Sequence, residues 1–206
     1  MNTNTSRWIF DFDRTLYDTE QLFGLVRDAL IGQGYPAEEV DAARAQTRAG
    51  EGYTFEGHLK LLGMPLEDMP QNIERFYGYM ADGNQFLLPG AADTIAQLAR
   101  TSSCDILTFG HPDIQRAKVA GATSLRPSIR EAHYVWKDRT KGEVIQQMGE
   151  GAIFFVDDTV EQLLDVHKKA PWVTLIRMMW PQFNAEPHPE DDKLWRVIRN
   201  MEALLT

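Results

Sequence analysis

The sequence predicts an α/β protein of three layers, with a parallel sheet between helices and an all-helical insert after the first strand. Two observations predict this class. Beyond about residue 86, short apolar segments alternate with helical ones, which is typical of a parallel sheet with both faces covered. Residues 19–85, by contrast, show helical spacing almost throughout. We therefore expect a core made of residues 7–18 and 86–206, and a helical insert made of residues 19–85.

The first predicted strand, residues 8–11, is an apolar run that ends abruptly in carboxylates. Side chains two apart on a strand point to the same face, so Asp11 and Asp13 would face one site while Phe12 turns toward the core. Two like charges at the edge of an apolar sheet repel each other and need compensation. A divalent cation is the simplest candidate.

The remaining elements are predicted from apolar spacing, from glycine and proline breaks and from N-cap candidates such as Thr54. Helices of the insert are expected at residues 22–30, 38–48, 55–62 and 73–80. Strands are expected afterwards at residues 105–109, 133–136, 152–156 and 172–176. The helices that accompany them are expected at residues 91–99, 112–120, 140–148 and 159–170.

The last stretch, residues 191–205, is amphipathic, because Leu194, Ile198, Met201 and Leu205 fall in line at helical spacing. We expect it to pack against the sheet or against a second subunit. Both a monomer and a homodimer are compatible with this pattern.

Composition excludes several classes of function. A net charge of −9 argues against nucleic acid as the main partner, since phosphate backbones are bound by clustered lysine and arginine. The single cysteine, Cys104, cannot form an internal disulfide, so nothing ties the fold to an oxidising compartment. We find no leader sequence and no apolar segment long enough to cross a bilayer, and we therefore expect a cytoplasmic protein with no membrane partner.

Polar residues follow two further predicted strands at the edge where ligands collect in a parallel sheet. The 105–109 strand carries Thr108 near its end, and Gly110 follows just ahead of a helix; a hydroxyl with free amides there suits an anion. The 152–156 strand is followed by Asp157 and Asp158. Two adjacent carboxylates in an apolar setting need a cation or several donors, although capping of the next helix is an alternative role for Asp158.

These motifs, taken in order, resemble those of the haloacid dehalogenase (HAD) superfamily of phosphohydrolases that carry a helical cap. The resemblance rests on Asp11-x-Asp13-x-Thr15, the threonine and glycine after the second strand, a lysine, and the Asp157-Asp158 pair. It extends from about residue 10 to residue 162. It implies a Rossmann-like core in which the helical insert covers a site at the carboxyl ends of the strands.

The resemblance also implies a role for each motif residue. Asp11 would be the nucleophile, Asp13 the general acid and base, and Thr15 a support for the following turn. Mg²⁺ would be bound by the Asp11 carboxylate, the Asp13 backbone carbonyl and Asp158, with Asp157 supporting the site from outside the coordination sphere. The phosphate would be held by the hydroxyl and amides of Thr108, Phe109 and Gly110.

The family also has a lysine near the start of the helix that precedes the fourth strand. Lys141 fits that position best, and it would hold the phosphate together with Thr108. Lys137, at the end of the third strand, is the second choice. Lys118 also precedes an alanine-glycine turn, but it lies one strand earlier in the chain.

The implied activity is Mg²⁺-dependent hydrolysis of a small phosphorylated substrate through an aspartyl phosphate. Dehalogenases of the superfamily lack the second aspartate of the first motif, so Asp13 points to phosphoryl transfer. A phosphomutase and a non-catalytic module that binds metal and phosphate are the alternatives. Arg14 and the pair Glu161 and Gln162 depart from the common family pattern, and Arg14 either contacts the substrate or faces solvent.

Other candidates for substrate contacts lie near a glycine-flanked break in the insert. They are Glu51, Tyr53 and His58, although packing between helices is the alternative for Tyr53 and His58. His111, next to Gly110, would lie closer to the phosphate, but a lone histidine is weak evidence for catalysis.

Overall fold

The computed structural model describes residues 6–49, 52–183 and 186–206, whose six strands form one parallel sheet in the order β3-β2-β1-β4-β5-β6. The strands are β1 (Arg7–Phe10), β2 (Ser103–Phe109), β3 (Glu131–Val135), β4 (Ile153–Asp157), β5 (Thr174–Met178) and β6 (Arg196–Ile198). The helices are α1 (Thr19–Ile31), α2 (Ala37–Ala49), α3 (Phe55–Leu61), α4 (Met69–Ala81), α5 (Ala91–Leu98), α6 (Pro112–Gly121), α7 (Lys141–Gln147) and α8 (Val160–Lys169).

Strand β1 is central to the sheet because it pairs with β2 on one side and β4 on the other. Its side chains alternate between two apolar layers. Phe10 belongs to the layer that continues into the insert, whereas Ile9 packs with Phe155 and the residues of α7 and α8. Both side chains are completely buried, which explains why this strand is an unbroken apolar run. The predicted three-layer α/β fold is therefore confirmed.

Helices α1 to α4 all lie between β1 and β2 in the chain, as the helical spacing predicts. Local signals place two of their starts: the Asp18 carboxylate caps α1 through Gln21 N, and the Thr54 hydroxyl caps α3 through Gly57 N. A close backbone approach joins the insert to the core. A Cβ atom at Gly121 would lie 1.8 Å from the Met80 carbonyl oxygen, so only glycine allows α6 to come this near to α4.

The C-terminal stretch packs against the sheet as expected, but it does not present one helix-spaced apolar face. Residues Arg196–Ile198 form β6, which pairs with β5, and a short 3-10 helix follows at Glu202–Leu205. Ile198 and Met201 are buried, whereas Leu205 is exposed. Pairing with β5 satisfies backbone groups that an uncovered sheet edge would leave open, and this outweighs the local spacing. No helix in the described ranges is long and apolar enough to cross a membrane.

The carboxylate of Asp191 ties this C-terminal segment to the sheet. It accepts hydrogen bonds from Arg177 Nη1 of β5 at 2.9 Å, from Trp195 Nε1 at 2.7 Å and from the His188 backbone amide at 2.9 Å. Burial disfavours the charged carboxylate, but these donors outweigh it and lower the pKa of Asp191 below 3.8. The Arg177 side chain is only 6% exposed, so it depends on this partner for its charge.

We expect Asp191→Asn to lower the melting temperature by about 5 °C at neutral pH, because it leaves a buried guanidinium without a carboxylate. A carboxyl whose pKa is lower in the folded state stabilises the fold above its unfolded value of 3.8, and this contribution is lost as the pH falls below it. The difference between the two proteins should therefore shrink as the pH is lowered below 3.8. Thermal unfolding followed by circular dichroism measures both quantities.

Asp41→Asn is the matched control, because Asp41 pairs with Arg27 on the exposed surface of the insert. It should change the melting temperature little. If Asp191→Asn has the same melting temperature as the natural protein at neutral pH, the role assigned to this carboxylate is contradicted.

Candidate active site

The candidate site is a cavity of about 360 Å³ at the carboxyl ends of β1, β2 and β4, below helices α1 and α2 of the insert. Its floor is formed by side chains that directly follow β1 and β4 and by the first residue of α7. These are Asp11, Asp13, Asp158 and Lys141. The position agrees with the general rule that parallel sheets bind ligands at this edge.

Lys141 joins the two central strands at the floor. Its ammonium nitrogen lies 2.5 Å from Asp11 Oδ1 and 2.7 Å from Asp157 Oδ2. Its side chain is only 2% exposed, so the lysine is held as a buried counter-ion between the ends of β1 and β4. Of the other two candidate lysines, Lys137 lies exposed beside Trp136, and Lys118 contacts a different carboxylate.

The floor carries more negative than positive charge. Burial raises the pKa of Asp11 to about 7; the negative charges of Asp157 and Asp13 add to this rise, and Lys141 opposes it. Burial, followed by repulsion from Asp11, raises the pKa of Asp158 to about 6. The shifts show that one lysine does not compensate these carboxylates.

The donor set fits a hard divalent cation. Asp11, Asp157 and Asp158 each offer a carboxylate oxygen, and the three oxygens lie within 4.8 Å of one another. Asp157 is already engaged by Lys141 and by the Thr159 backbone amide at 2.8 Å. Asp11 and Asp158 therefore remain as the oxygens that face the cavity, and such ligands suit Mg²⁺.

Asp13 lies outside this acidic cluster, and its carboxylate is held by three other side chains. Lys118 Nζ and the Thr19 hydroxyl donate to Oδ1, and Gln115 Nε2 donates to Oδ2 at 2.7 Å. Burial favours the neutral acid, but Lys118, followed by Thr19 and Gln115, outweighs it and lowers the pKa of Asp13. Asp13 is thus a fixed, ionised carboxylate beside the cavity.

Sequence reasoning missed most of this arrangement. It considered Lys118 only as a phosphate ligand, and it did not single out Gln115 or Thr19. A signal was present, because Gln115 and Lys118 lie three residues apart on α6 and so share one helix face. Both are almost fully buried, which is unusual for these residue types without a partner.

The segment after β2 is held through Gln115. The Thr108 hydroxyl is buried and donates to Gln115 Oε1 at 3.1 Å, while Gln115 Nε2 also donates to the Phe109 carbonyl at 3.2 Å. Gly110 has a φ of 150°, and a Cβ atom there would lie 2.4 Å from Gln115 Nε2, so the close turn requires glycine. Phe109 and Gly110 line the cavity.

Arg14 lies at the entrance with a left-handed backbone, φ 60°. Its Nε atom lies 3.4 Å from Asp158 Oδ2, and its guanidinium lies 5.1 Å from the centre of the Phe183 ring. Arg14 also lines the cavity, so its charge is placed beside the acidic cluster instead of facing open solvent.

The candidates in the insert take different positions. His58 is buried and bridges the Val40 carbonyl and the Tyr53 hydroxyl, each at 3.0 Å, so it serves packing between helices. The Tyr53 ring lines the cavity, and so does His111. Glu51 lies outside the described residues.

No family model matches the chain, and no curated protein matches it. Solved structures do match. A protein of Burkholderia xenovorans assigned to the haloacid dehalogenase-like hydrolases has 15% identity and a TM-score of 0.70, with 97% of this chain and 94% of that chain covered. The HAD-hydrolase YfnB of Bacillus subtilis, bound to magnesium, has 17% identity and a TM-score of 0.67, with coverage of 97% and 96%.

The L-2-haloacid dehalogenase of Xanthobacter autotrophicus, with chloropropionic acid covalently bound, has 17% identity and a TM-score of 0.63. The match covers 97% of this chain and 96% of that chain. Identities this low establish a common fold, and the resemblance stated from the motifs is confirmed at that level. The chain therefore has the fold of the haloacid dehalogenase-like hydrolases.

Proposed function

We propose that the protein is a Mg²⁺-dependent phosphomonoester hydrolase that acts on a small phosphorylated metabolite through an aspartyl phosphate on Asp11. The observation that carries this proposal is the arrangement of two carboxylates after β1. Asp11 lies with Asp158 beside the buried cation Lys141, and Asp13, two residues on, is held separately by Lys118, Gln115 and Thr19. Such a pair offers a nucleophile and a separate proton-transfer group at one cavity.

Asp11 and Asp158 would hold the metal ion, together with the backbone carbonyl of Asp13 that the family resemblance implies. A bound divalent cation would offset the combined negative charge of the carboxylates and the phosphoryl oxygens. The raised pKa values of Asp11 and Asp158 support this, because burial and then repulsion from neighbouring carboxylates disfavour their charged forms, and a bound cation would favour them. A magnesium-bound neighbour of the same fold also supports it.

In the first chemical step, an Asp11 carboxylate oxygen attacks phosphorus, and the bond from phosphorus to the leaving oxygen breaks. Lys141 keeps its charge, since Asp11 and Asp157 raise its pKa against the effect of burial, and so it offsets negative charge at the reacting centre. The leaving oxygen takes its proton from Asp13. The arriving phosphate makes that protonation easier, because a nearby negative charge raises the pKa of a carboxyl.

In the second step, a water oxygen attacks the phosphorus of the aspartyl phosphate, Asp11 is released, and Asp13 accepts the proton of the water. Asp13 is well prepared for this role, because Lys118, Gln115 and Thr19 favour its carboxylate form. Phe109 and Gly110, which line the cavity, would contact the phosphate from the β2 side, and the buried Thr108 hydroxyl would support this segment through its hydrogen bond to Gln115. Arg14, which also lines the cavity, would contact the phosphate as well.

Haloacid dehalogenation is the second candidate, since dehalogenases are among the structural neighbours. A halide ion leaves without a proton, so that reaction gives no role to the well-supported carboxylate of Asp13. We therefore favour phosphate release. Chloride release from 2-chloropropionate, and transfer of phosphate to a second hydroxyl of a sugar phosphate, are the outcomes that would assign the chain to a dehalogenase or a mutase.

We expect Asp11→Asn to lower phosphate release from phenyl phosphate by about 10³-fold or more, because an amide does not form the covalent intermediate. Release by the natural protein should require Mg²⁺ and stop on chelation. A colorimetric phosphate assay measures both.

The control is Asp93→Asn, since Asp93 is an exposed carboxylate on α5 and does not line the cavity. It should retain full activity. Unchanged turnover in Asp11→Asn would rule out this residue as the nucleophile.

We expect Asp13→Asn to slow hydrolysis of alkyl phosphates by about 10²–10⁴-fold, the usual contribution of general acid–base catalysis. For aryl phosphates with good leaving groups, the rate of the step that forms the aspartyl phosphate should fall by a smaller factor, because their leaving oxygen needs little protonation. Rapid-quench measurement of the first turnover with both substrate types checks this difference. An equal loss for both types would contradict the acid role.

A further inference from the structure

Two arginines of the insert, Arg44 and Arg48, line the same cavity as the acidic floor. Both belong to α2 and lie four residues apart, so they share one face of that helix. The mechanism proposed above uses neither of them. Two guanidinium groups that line one small cavity require an explanation, because their like charges repel each other.

Arg44 is held in a fixed orientation. Its guanidinium lies 4.1 Å from the centre of the Phe23 ring, and its Nη2 atom lies 2.9 Å from Glu20 Oε2. A guanidinium has five N–H donors, and this ion pair uses one edge of it. The guanidinium is planar in itself, and because the ring and the ion pair restrain its orientation, the remaining donors are already ordered for a planar anion such as a carboxylate.

The two ends of the cavity differ in charge: at the floor carboxylates outnumber cations, although each carboxylate has a cationic neighbour, whereas at the insert side guanidinium groups outnumber carboxylates. Asp11 pairs with Lys141, Asp13 with Lys118, and Asp158 with Arg14. At the insert side, Glu20 pairs with Arg44, whereas Arg48 has no carboxylate partner among the described residues. A phosphate bound with Mg²⁺ at the floor would not compensate the positive charge of Arg48, so the insert side favours a further negative group.

The walls between these two ends are flat and apolar. They are formed by Phe23 and Tyr53 of the insert and by Ile114 and Trp136 of the core. The Phe23 and Tyr53 rings meet edge to face, with centroids 4.7 Å apart. Aromatic walls of this kind bury planar or apolar groups well. A cavity of about 360 Å³ has room for a small metabolite with such a body.

We propose that the substrate carries a second anionic group, separated from the scissile phosphate by an aromatic or apolar body, and that Arg44 and Arg48 bind this second group. The inference rests on the proposed phosphatase function and specifies its substrate class. Arg44 and Arg48 are binding residues in this proposal, and they take no part in the transfer of the phosphoryl group.

The test compares two aryl phosphates of the same shape, 4-carboxyphenyl phosphate and its neutral analogue 4-carbamoylphenyl phosphate. A longer pair with a 2-carboxyethyl or 2-carbamoylethyl substituent covers a greater separation of the two anions. We expect the natural protein to favour the carboxylate of at least one pair by about tenfold or more in kcat/KM, mainly through a lower KM.

In Arg44→Met and Arg48→Met, this preference should fall toward unity, because kcat/KM for the carboxylate substrate should fall by a larger factor than kcat/KM for the neutral analogue. Arg48 is exposed, and within the part of the chain that the structure describes no ion pair or ring contact involves it, so the second variant keeps the test valid if loss of Arg44 disturbs the packing on Phe23. Arg27→Met is the control, because Arg27 pairs with Asp41 on the surface of the insert and does not line the cavity.

The outcomes separate the two proposals. If the natural protein hydrolyses both members of each pair equally, or if its preference survives in both arginine variants, this inference is overturned and the proposed hydrolase function stands. If Mg²⁺ supports hydrolysis of no phosphate in the set, the proposed function fails and this inference fails with it. A preference that is lost in Arg27→Met as well would also overturn the assignment.

Discussion

The site depends on one buried ammonium group held between two carboxylates. Lys141 lies at the start of α7, and its contacts with Asp11 and Asp157 link the ends of β1 and β4. Neither aspartate would be tolerated as an unpaired charge at the end of an apolar strand, and the lysine would not be tolerated alone. The same three charges leave an excess of negative charge that Asp158 increases, and this excess is the physical basis for expecting a metal ion.

A second set of contacts makes the two carboxylates after β1 chemically different. Asp11 is buried among other carboxylates and its pKa is raised. Asp13 accepts hydrogen bonds from Lys118, Gln115 and Thr19, and its pKa is lowered. Two of these partners come from α6 of the core and one from the first residue of the insert. Asp13 is therefore the point at which the helical insert contacts the proposed chemistry, and the same insert contributes Arg44 and Arg48 to the opposite side of the cavity.

Much of the fold could be predicted because its signals are local. An apolar run with an abrupt end identifies a buried strand, and helical spacing identified the four helices of the insert and those that follow. Residues immediately after strands, such as Asp11, Gly110 and Asp158, could be placed near one another for a similar reason, since parallel strands end at the same edge. The main departure was the stretch of residues 191–205, where a helix-spaced pattern contains β6. Its conformation is decided by the open edge of β5, which no local pattern reveals.

By itself, the sequence determined the class of fold, the order of the elements as far as β5 and the identity of the acidic residues at the strand ends, because each of these depends on neighbours in the chain. Only the tertiary structure decided which charge compensates which. Lys118 meets Asp13 across 105 residues, and Lys141 meets Asp11 across 130 residues. Pairings between distant residues follow from the packing of α6 and α7 on the sheet, and that packing is a property of the whole fold.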